Sequence, residues 1–153
     1  MSCVLFAQGA LWGDGRAWGG RGCATPGGKR KVHLLPDGAA VGIVSGVVGE
    51  PEKFLAWLKA GGDPEAWRGD KPDLRALVLR PDGTLLLYDD SIWPSGPITT
   101  DLYAIGSGSD FALGAMSAGA APLQALAIAA RWDVNTGAPF ATVKPETPDG
   151  PDR

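Results

Sequence analysis

The tripeptide Pro-Asp-Gly stands between two apolar runs at 36–38 and again at 81–83. Proline presets the φ angle of a turn residue and glycine accepts a positive φ, so each tripeptide predicts a tight turn. The flanking runs, which are 31–35 with 39–44 and 74–80 with 84–88, are then antiparallel strands joined as β-hairpins. Two such hairpins favour a fold built on antiparallel sheets.

The other secondary structure predicted from the pattern interleaves with these hairpins. A third hairpin is expected where the apolar runs 3–6 and 10–12 flank residues 7–9. Helices are expected at 50–60, 110–118 and 121–131, and a last strand at 139–143. The helix at 121–131 is apolar nearly all round, which predicts that it is buried. This order favours helices packed on antiparallel sheets over a doubly wound parallel sheet.

Composition narrows the class of protein. The chain has 153 residues, the usual size of one domain, and 44% of them are hydrophobic, enough for a core without metal or disulfides. The net charge is −3 and no basic run stands out, so nucleic acid is not an expected partner. With two cysteines, Cys3 and Cys23, and one histidine, His33, a zinc site is not expected either. The six tryptophans are scattered along the sequence and are expected to be core or packing residues.

The sequence also lacks membrane and export signals. No apolar run reaches the roughly 18 residues that a membrane-spanning helix needs, and the first residues do not have the pattern of a signal peptide. The expected location is therefore the cytoplasm, with reduced thiols and no membrane partner.

Several short motifs, taken in order, resemble one known family. Residues 103–108, Tyr-Ala-Ile-Gly-Ser-Gly, resemble a strand-to-helix turn of proteasome β subunits and the bacterial peptidase HslV, and 131–137 resemble the Asp-x-x-Ser-Gly segment of these proteins. Upstream, 13–15 resemble their Gly-Asp-Gly, 28–32 resemble the strand that bears their lysine, and 41–46 are similar to the strand and turn before their first helix. The set covers most of residues 2–143.

The resemblance implies a fold and a domain organisation. The expected fold is α+β, a four-layer αββα sandwich of antiparallel sheets, proteasome-like and formed by residues 2–143. The segment 61–74 is too short for the long second helix of the family and holds Pro64 and Pro72, so a shortened second helix is expected. The proline-rich polar tail 144–153 is expected to be disordered.

The resemblance also implies a chemistry, that of the N-terminal-nucleophile hydrolases. In these enzymes the first residue of the mature chain supplies the nucleophile, and its own α-amino group accepts the proton. The position of the nucleophile falls on Ser2, once Met1 is removed, in place of the usual threonine. The family's lysine, aspartate and oxyanion glycine fall on Lys31, Asp14 and Gly42. Its polar cluster around the terminal amine falls on Ser107, Asp133 and Thr136, where Thr136 replaces the usual serine. No cofactor or metal is implied.

Hairpin geometry favours Ser2 over Cys3 as the nucleophile. Ser2 and Asp14 are equidistant from Gln8, the middle of 7–9, and would face each other across a symmetric hairpin. Cys3 would then lie one residue out of register with its side chain on the other face.

The predicted function is a threonine-type peptidase, here with serine, that acts on polypeptide substrates. As in the family, the implied partners are further copies of the chain, in a homo-oligomer that can take the form of a ring, and an ATP-dependent unfoldase. Two alternatives remain open at this point. One is a catalytically inactive proteasome-like protein with a structural or assembly role, and the other is a small-molecule amidohydrolase on the same scaffold.

Overall fold

A computed structural model describes residues 2–18 and 28–147 of the chain. Within these residues the strands are β1 (Val4–Ala7), β2 (Ala10–Gly13), β3 (Val32–Leu34), β4 (Ala40–Val44), β5 (Arg75–Leu79), β6 (Leu85–Asp89), β7 (Leu102–Ile105) and β8 (Ala141–Val143). The helices are α1 (Glu50–Lys59), α2 (Ser109–Ser117) and α3 (Pro122–Trp132), with a 3-10 turn at Pro64–Ala66. Met1, Cys23 and the last six residues of the predicted tail lie outside the described residues.

The strands form two four-stranded antiparallel sheets. The first has the order β7-β1-β2-β8 and the second the order β3-β4-β5-β6. One apolar cluster, with Leu11 and Leu77 at its centre, fills the space between the sheets. A second joins the outer face of the first sheet to α2 and α3, and a third joins the outer face of the second sheet to α1. The predicted four-layer αββα sandwich is therefore confirmed.

Both Pro-Asp-Gly hairpins form as predicted, β3 with β4 and β5 with β6. The turn glycines Gly38 and Gly83 both have φ 88°, a conformation that other residues rarely adopt. In each turn the aspartate carboxylate accepts the N–H two residues on, at 2.9 Å from Ala39 to Asp37 and from Thr84 to Asp82. The repeated sequence therefore produces a repeated hydrogen-bond pattern.

The β1–β2 hairpin differs from the prediction by one residue. Its turn has two residues, Gln8 and Gly9, both with positive φ, and Ala7 pairs with Ala10. This is the geometry of the type I′ turn that best matches strand twist. Continued to the open end, the register places Cys3 opposite Asp14, whose N–H donates to the Cys3 carbonyl at 3.0 Å. The prediction that Ser2 faces Asp14 across the hairpin was therefore wrong.

The outer face of the second sheet is covered by α1 and by aromatic side chains. Phe54 and Trp57 of α1 are buried against Tyr88 of β6, with ring centroids 5.2 Å and 6.2 Å away. The connection from α1 to β5 contains only the 3-10 turn, which confirms that the second helix is shortened. The ring of Trp67, in this connection, lies 5.6 Å from that of Trp57, so the Trp67 indole helps to cover the apolar cluster on this face of the sheet.

The prediction that α3 is a buried helix was wrong. Pro122, Ala125, Leu126 and Ala129 are buried, but Leu123 and Ile128 face outward, 49% and 37% exposed. An apolar sequence indicates that a helix favours burial, but it does not identify the surface that would cover each of its faces.

The prediction for the tryptophans needs correction. They are not all core residues, since Trp18, Trp93 and Trp132 are exposed. The disorder of the tail 144–153 stays a prediction; in its described part, 144–147, the Glu146 N–H donates to the Gly38 carbonyl at 2.8 Å. Among the described helices, none combines the length and the apolar character needed to cross a bilayer.

A glycine sets the distance between the sheets. A Cβ atom built on Gly42 of β4 would lie 2.4 Å from Val4 Cγ1 of β1, closer than van der Waals contact allows. We expect Gly42→Ala to lower the free energy of unfolding by about 1–3 kcal/mol through overpacking. Urea denaturation measures this loss, and Val4→Ala in the same chain should recover part of it.

The matched control is Gly114→Ala in α2, where an added Cβ meets no atom within 4 Å. We expect that change to leave stability equal or raise it by up to about 1 kcal/mol, because alanine is the better helix former. If Gly42→Ala unfolded with the same urea midpoint as the wild type, that result would contradict the close contact between the sheets.

Candidate active site

The carboxylate of Asp14 is buried and accepts four hydrogen bonds. Its Oδ1 accepts the Cys3 N–H and the Lys31 ammonium, both at 2.9 Å. Its Oδ2 accepts the N–H groups of Arg16 and Gly137, both at 3.0 Å. All the donors come from the protein, so the ionised carboxylate is satisfied without water.

Lys31 reaches this carboxylate from the segment just before β3. Its side chain is 7% exposed, and its ammonium also donates to the Arg16 carbonyl. Burial lowers the pKa of Lys31 below its ordinary value, and the negative charge of Asp14 opposes this shift. The arrangement holds a cationic side chain in a fixed position at the open end of β1.

A second polar cluster lies on the other side of the β1 end, after α3. Oδ2 of Asp133 accepts the hydroxyl of Thr136 at 2.6 Å and that of Ser107 at 2.7 Å, and Oδ1 accepts the Asn135 N–H at 3.1 Å. Burial raises the pKa of the Asp133 carboxyl, but these hydrogen bonds outweigh it and the pKa lies below its ordinary value. Asp133 is therefore ionised at neutral pH.

Two glycines let the turn before α2 approach Ser2. The Gly108 N–H donates to the Ser2 carbonyl at 3.3 Å. Gly106 has φ 100°, and a Cβ on it would overlap the Ser2 carbonyl oxygen. A Cβ on Gly108 would lie 2.5 Å from Thr136 Oγ1. The Gly-Ser-Gly sequence thus fits a place where the backbone and the Asp133 cluster meet the chain end.

Ser2 itself is 4% exposed and lines a cavity of about 530 Å³ together with Lys31, Ile43 and Ser45. Cys3 points the other way, into the apolar cluster under α2 and α3. Burial, with the charges of Asp14 and Asp133, raises the pKa of the Cys3 thiol to about 12. Ser2 and Lys31 therefore line the same cavity while Cys3 does not, although the register argument for Ser2 was wrong.

Gly42 lies apart from the other predicted site residues. It pairs with Val32 of β3 and with Leu77 of β5, in the middle of the second sheet. The N–H of the next residue, Ile43, donates to the Lys31 carbonyl at 2.9 Å. Since N–H directions alternate along an antiparallel strand, the Gly42 N–H points to β5 and away from the cavity. The prediction of Gly42 as an oxyanion donor is therefore not supported by this geometry.

The cavity also includes a residue that the sequence motif did not single out. Ser45 follows the last residue of β4 and lines the cavity beside Ser2. Continued past Val44, the alternation of β4 directs the Ser45 N–H to the Lys31 side. Among residues 2–18 and 28–147, no group of three or more His, Cys, Asp and Glu side chains is placed to hold a metal ion.

The hydrogen bonds of Asp14 predict an asymmetry between two substitutions. In Asp14→Asn, either way round the side-chain amide is placed, its nitrogen would face two N–H donors. Lys31 would also lose its counter-charge. We therefore expect the free energy of unfolding to fall by about 3–5 kcal/mol. In Lys31→Met, the Asp14 carboxylate keeps three backbone N–H donors, so we expect a loss of about 1–3 kcal/mol. Urea denaturation of both variants tests this order, and equal losses would contradict it.

The lowered pKa of Asp133 predicts a pH-dependent contribution to stability. Unfolded aspartate has a pKa of about 3.9, so the ionised Asp133 carboxylate stabilises the fold fully above that pH. The contribution is lost as pH falls through the lower folded pKa. Asp133→Asn should therefore differ most from wild type at neutral pH, and the difference in unfolding free energy should shrink below about pH 4. A difference that stays constant with pH would contradict this assignment.

Comparison with known proteins gives matches in structure only. No family model matches the chain, and no curated protein matches it. Eukaryotic HslV from Trypanosoma brucei is similar with a TM-score of 0.67 and 19% identity, over 93% of this chain and 98% of that chain.

Thiobacillus denitrificans BPH is similar with a TM-score of 0.62 and 18% identity, over 96% of this chain and 98% of that one. BPH in complex with epoxomicin has a TM-score of 0.59 and 17% identity, over 92% and 95%. At such identities the likeness concerns the fold. The two antiparallel sheets and the helices outside them therefore give this chain the fold of HslV and the proteasome-like peptidases.

Proposed function

We propose that this chain is a peptidase in which Ser2, exposed as the first residue by removal of Met1, is the nucleophile. The observation that carries the proposal is the position of Ser2 between two polar clusters, Lys31 with Asp14 and Asp133 with its two hydroxyl donors, at the wall of a cavity. The structural likeness to HslV and BPH supports the same reading.

The first step is attack on the carbonyl carbon of a peptide bond. The Ser2 Oγ forms the new bond, and its proton passes to the α-amino group of the same residue. An α-amine has a pKa of about 7.7–8.0, close enough to neutrality for it to act as a base. The positive charge of Lys31, held at the cavity by Asp14, favours the neutral form of this amine.

The second step releases the first product. The tetrahedral intermediate collapses, the carbon–nitrogen bond breaks, and the leaving amine takes the proton from the α-ammonium of Ser2. Water then attacks the acyl ester with the same α-amine as base, which releases the carboxylic acid and restores the Ser2 hydroxyl. Backbone N–H groups that point at the developing oxyanion lower the barrier, and Ser45 is the donor proposed for this role in place of Gly42.

The alternative nucleophile, Cys3, does not fit the same cavity. Its side chain is buried among apolar residues, and its pKa of about 12 leaves it as the unreactive thiol near neutral pH. The ionised Asp133, which holds the hydroxyls of Ser107 and Thr136, is proposed to position the α-amino group of Ser2.

Assembly with further copies of the chain belongs to the same proposal. The outer face of the α2–α3 layer carries exposed apolar side chains, which are Phe111, Leu123, Ile128, Trp132 and Val134. Such a face supports contact with another protein surface. The polypeptide substrate, the ring form and the unfoldase partner rest on the sequence resemblance. The cytoplasmic location is proposed from the sparse use of cysteine.

The proposal is tested by intact mass spectrometry before and after treatment with an electrophilic β-lactone. We expect the purified protein to have lost the mass of Met1 and to gain one probe adduct. Epoxomicin, which BPH holds in one of the similar structures, serves as a second probe. Ser2→Ala is the matched control, because alanine also permits removal of methionine and keeps a free α-amine but has no hydroxyl.

Two further variants make the result specific. Cys3→Ala should still gain the adduct, and Ser2→Thr should gain it as well because it keeps the hydroxyl. Retained Met1 with no adduct would support an inactive protein with this fold. An adduct without cleavage of any peptide, but with cleavage of small amides, would support an amidohydrolase.

A further inference from the structure

The cavity beside Ser2 has apolar walls and a cationic rim. Ile43 from β4 and Pro51 and Leu55 from α1 provide the apolar surface. The cationic side chains that line it are Arg16, Lys29, Arg30 and Lys31. Glu52 is the one acidic side chain among the described residues of the lining.

Two of the four cations have carboxylate partners. The ammonium of Lys31 contacts Asp14 at 2.9 Å, and that of Lys29 contacts Glu52 at 2.7 Å. Within the described residues, Arg16 and Arg30 form no ion pair, so the cavity has an excess of positive charge.

The arginines also have hydrogen-bond donors to spare. Arg16 donates from Nη1 to the Val134 carbonyl, and Arg30 donates from Nε to the Val32 carbonyl. A guanidinium has five N–H donors, and within residues 2–18 and 28–147 each arginine uses one of them, which leaves donors for a ligand. The charge of Arg30 also reaches the interior of the cavity. Burial lowers the pKa of the cavity residue His33, and the positive charge of Arg30 lowers that pKa further.

This charge is local. The chain as a whole has a net charge of −3, yet its sequence contains no aspartate or glutamate between Asp14 and Asp37. The same interval contains five cationic residues, which are Arg16, Arg21, Lys29, Arg30 and Lys31. A cationic cavity on an acidic protein favours an anionic ligand through local electrostatic complementarity.

We propose that this cavity binds an acidic side chain of the substrate, preferentially glutamate, at the residue whose carbonyl is attacked. Apolar walls suit the methylene groups of glutamate, and Arg30 with the remaining donors of Lys29 receives its carboxylate. The inference rests on the proposed function, because Ser2 as nucleophile fixes which substrate residue enters the cavity.

Binding is measured first, in the full chain carrying Ser2→Ala so that no cleavage is needed. The probes are two short acetylated peptides that end in a glutamate amide or in a glutamine amide and are otherwise identical. We expect the glutamate peptide to bind about tenfold more tightly at low salt, which equals about 1.4 kcal/mol. High salt should reduce the ratio by screening. Equal affinities of the two peptides would overturn the proposal.

Two substitutions should move the preference in opposite directions. Arg30→Gln removes the unpaired cation that is proposed to receive the carboxylate and should bring the ratio towards one. Glu52→Gln frees Lys29 from its partner and should raise the ratio. The matched control is Arg80→Gln, an exposed arginine beside the β5–β6 turn and outside the cavity lining, which should leave the ratio unchanged. Parallel effects of Arg30→Gln and Arg80→Gln would overturn the assignment.

Hydrolysis of the same peptide pair, extended past the cleaved bond, separates the two proposals. Cleavage of both peptides at equal kcat/KM would support Ser2 as nucleophile and overturn the acidic preference. Tighter binding of the glutamate peptide without cleavage by the Ser2 protein would support the cavity and overturn the peptidase.

Discussion

The buried Asp14 carboxylate holds together the segments that form the candidate site through four hydrogen bonds. Its four donors come from the end of β1, from its own loop, from the segment before β3 and from the segment before β8, so it joins parts of the chain that are up to 123 residues apart. A buried carboxylate without donors costs several kcal/mol, and this one is stable because every lone pair has a partner. The residue that joins these segments also fixes Lys31 beside Ser2, so the fold and the candidate site share one cause.

Around this carboxylate, the site is assembled from backbone contacts that only glycine permits. Gly106 and Gly108 bring the turn before α2 against Ser2 and Thr136, and Gly15 lies against Pro139, where a Cβ would come within 2.3 Å of a carbonyl oxygen. A Cβ at Gly106 would overlap the Ser2 carbonyl, and a Cβ at Gly108 would press on Thr136 of the Asp133 cluster. Because protein interiors are close-packed, the positions of these side chains follow from how closely the strands approach.

The sequence could predict the parts that local chemistry determines. The Pro-Asp-Gly turns fix two hairpins, and the resemblance to proteasome β subunits and HslV pointed to Asp14, Lys31, Ser107, Asp133 and Thr136. The register of β1 and β2 could not be predicted, because Gln8 with φ 54° has no residue-type signal for a two-residue turn. The direction of the Gly42 N–H could not be predicted because it depends on the strand ladder, and the exposure of α3 depends on packing partners.

The choice between a hydroxyl and a thiol illustrates how position decides reactivity. Ser2 and Cys3 are adjacent at the end of β1, and the alternation of an extended chain sends their side chains to opposite faces of the first sheet. The thiol is the better nucleophile in water only when it is ionised. Here burial under the helices, and then the charges of Asp14 and Asp133, raise its pKa to about 12 and keep it protonated. The hydroxyl lies at the cationic cavity, which Lys31 and Arg30 also line. In the proposed function, the charge of Lys31 favours a neutral amine at Ser2 and the charge of Arg30 favours an anionic substrate side chain.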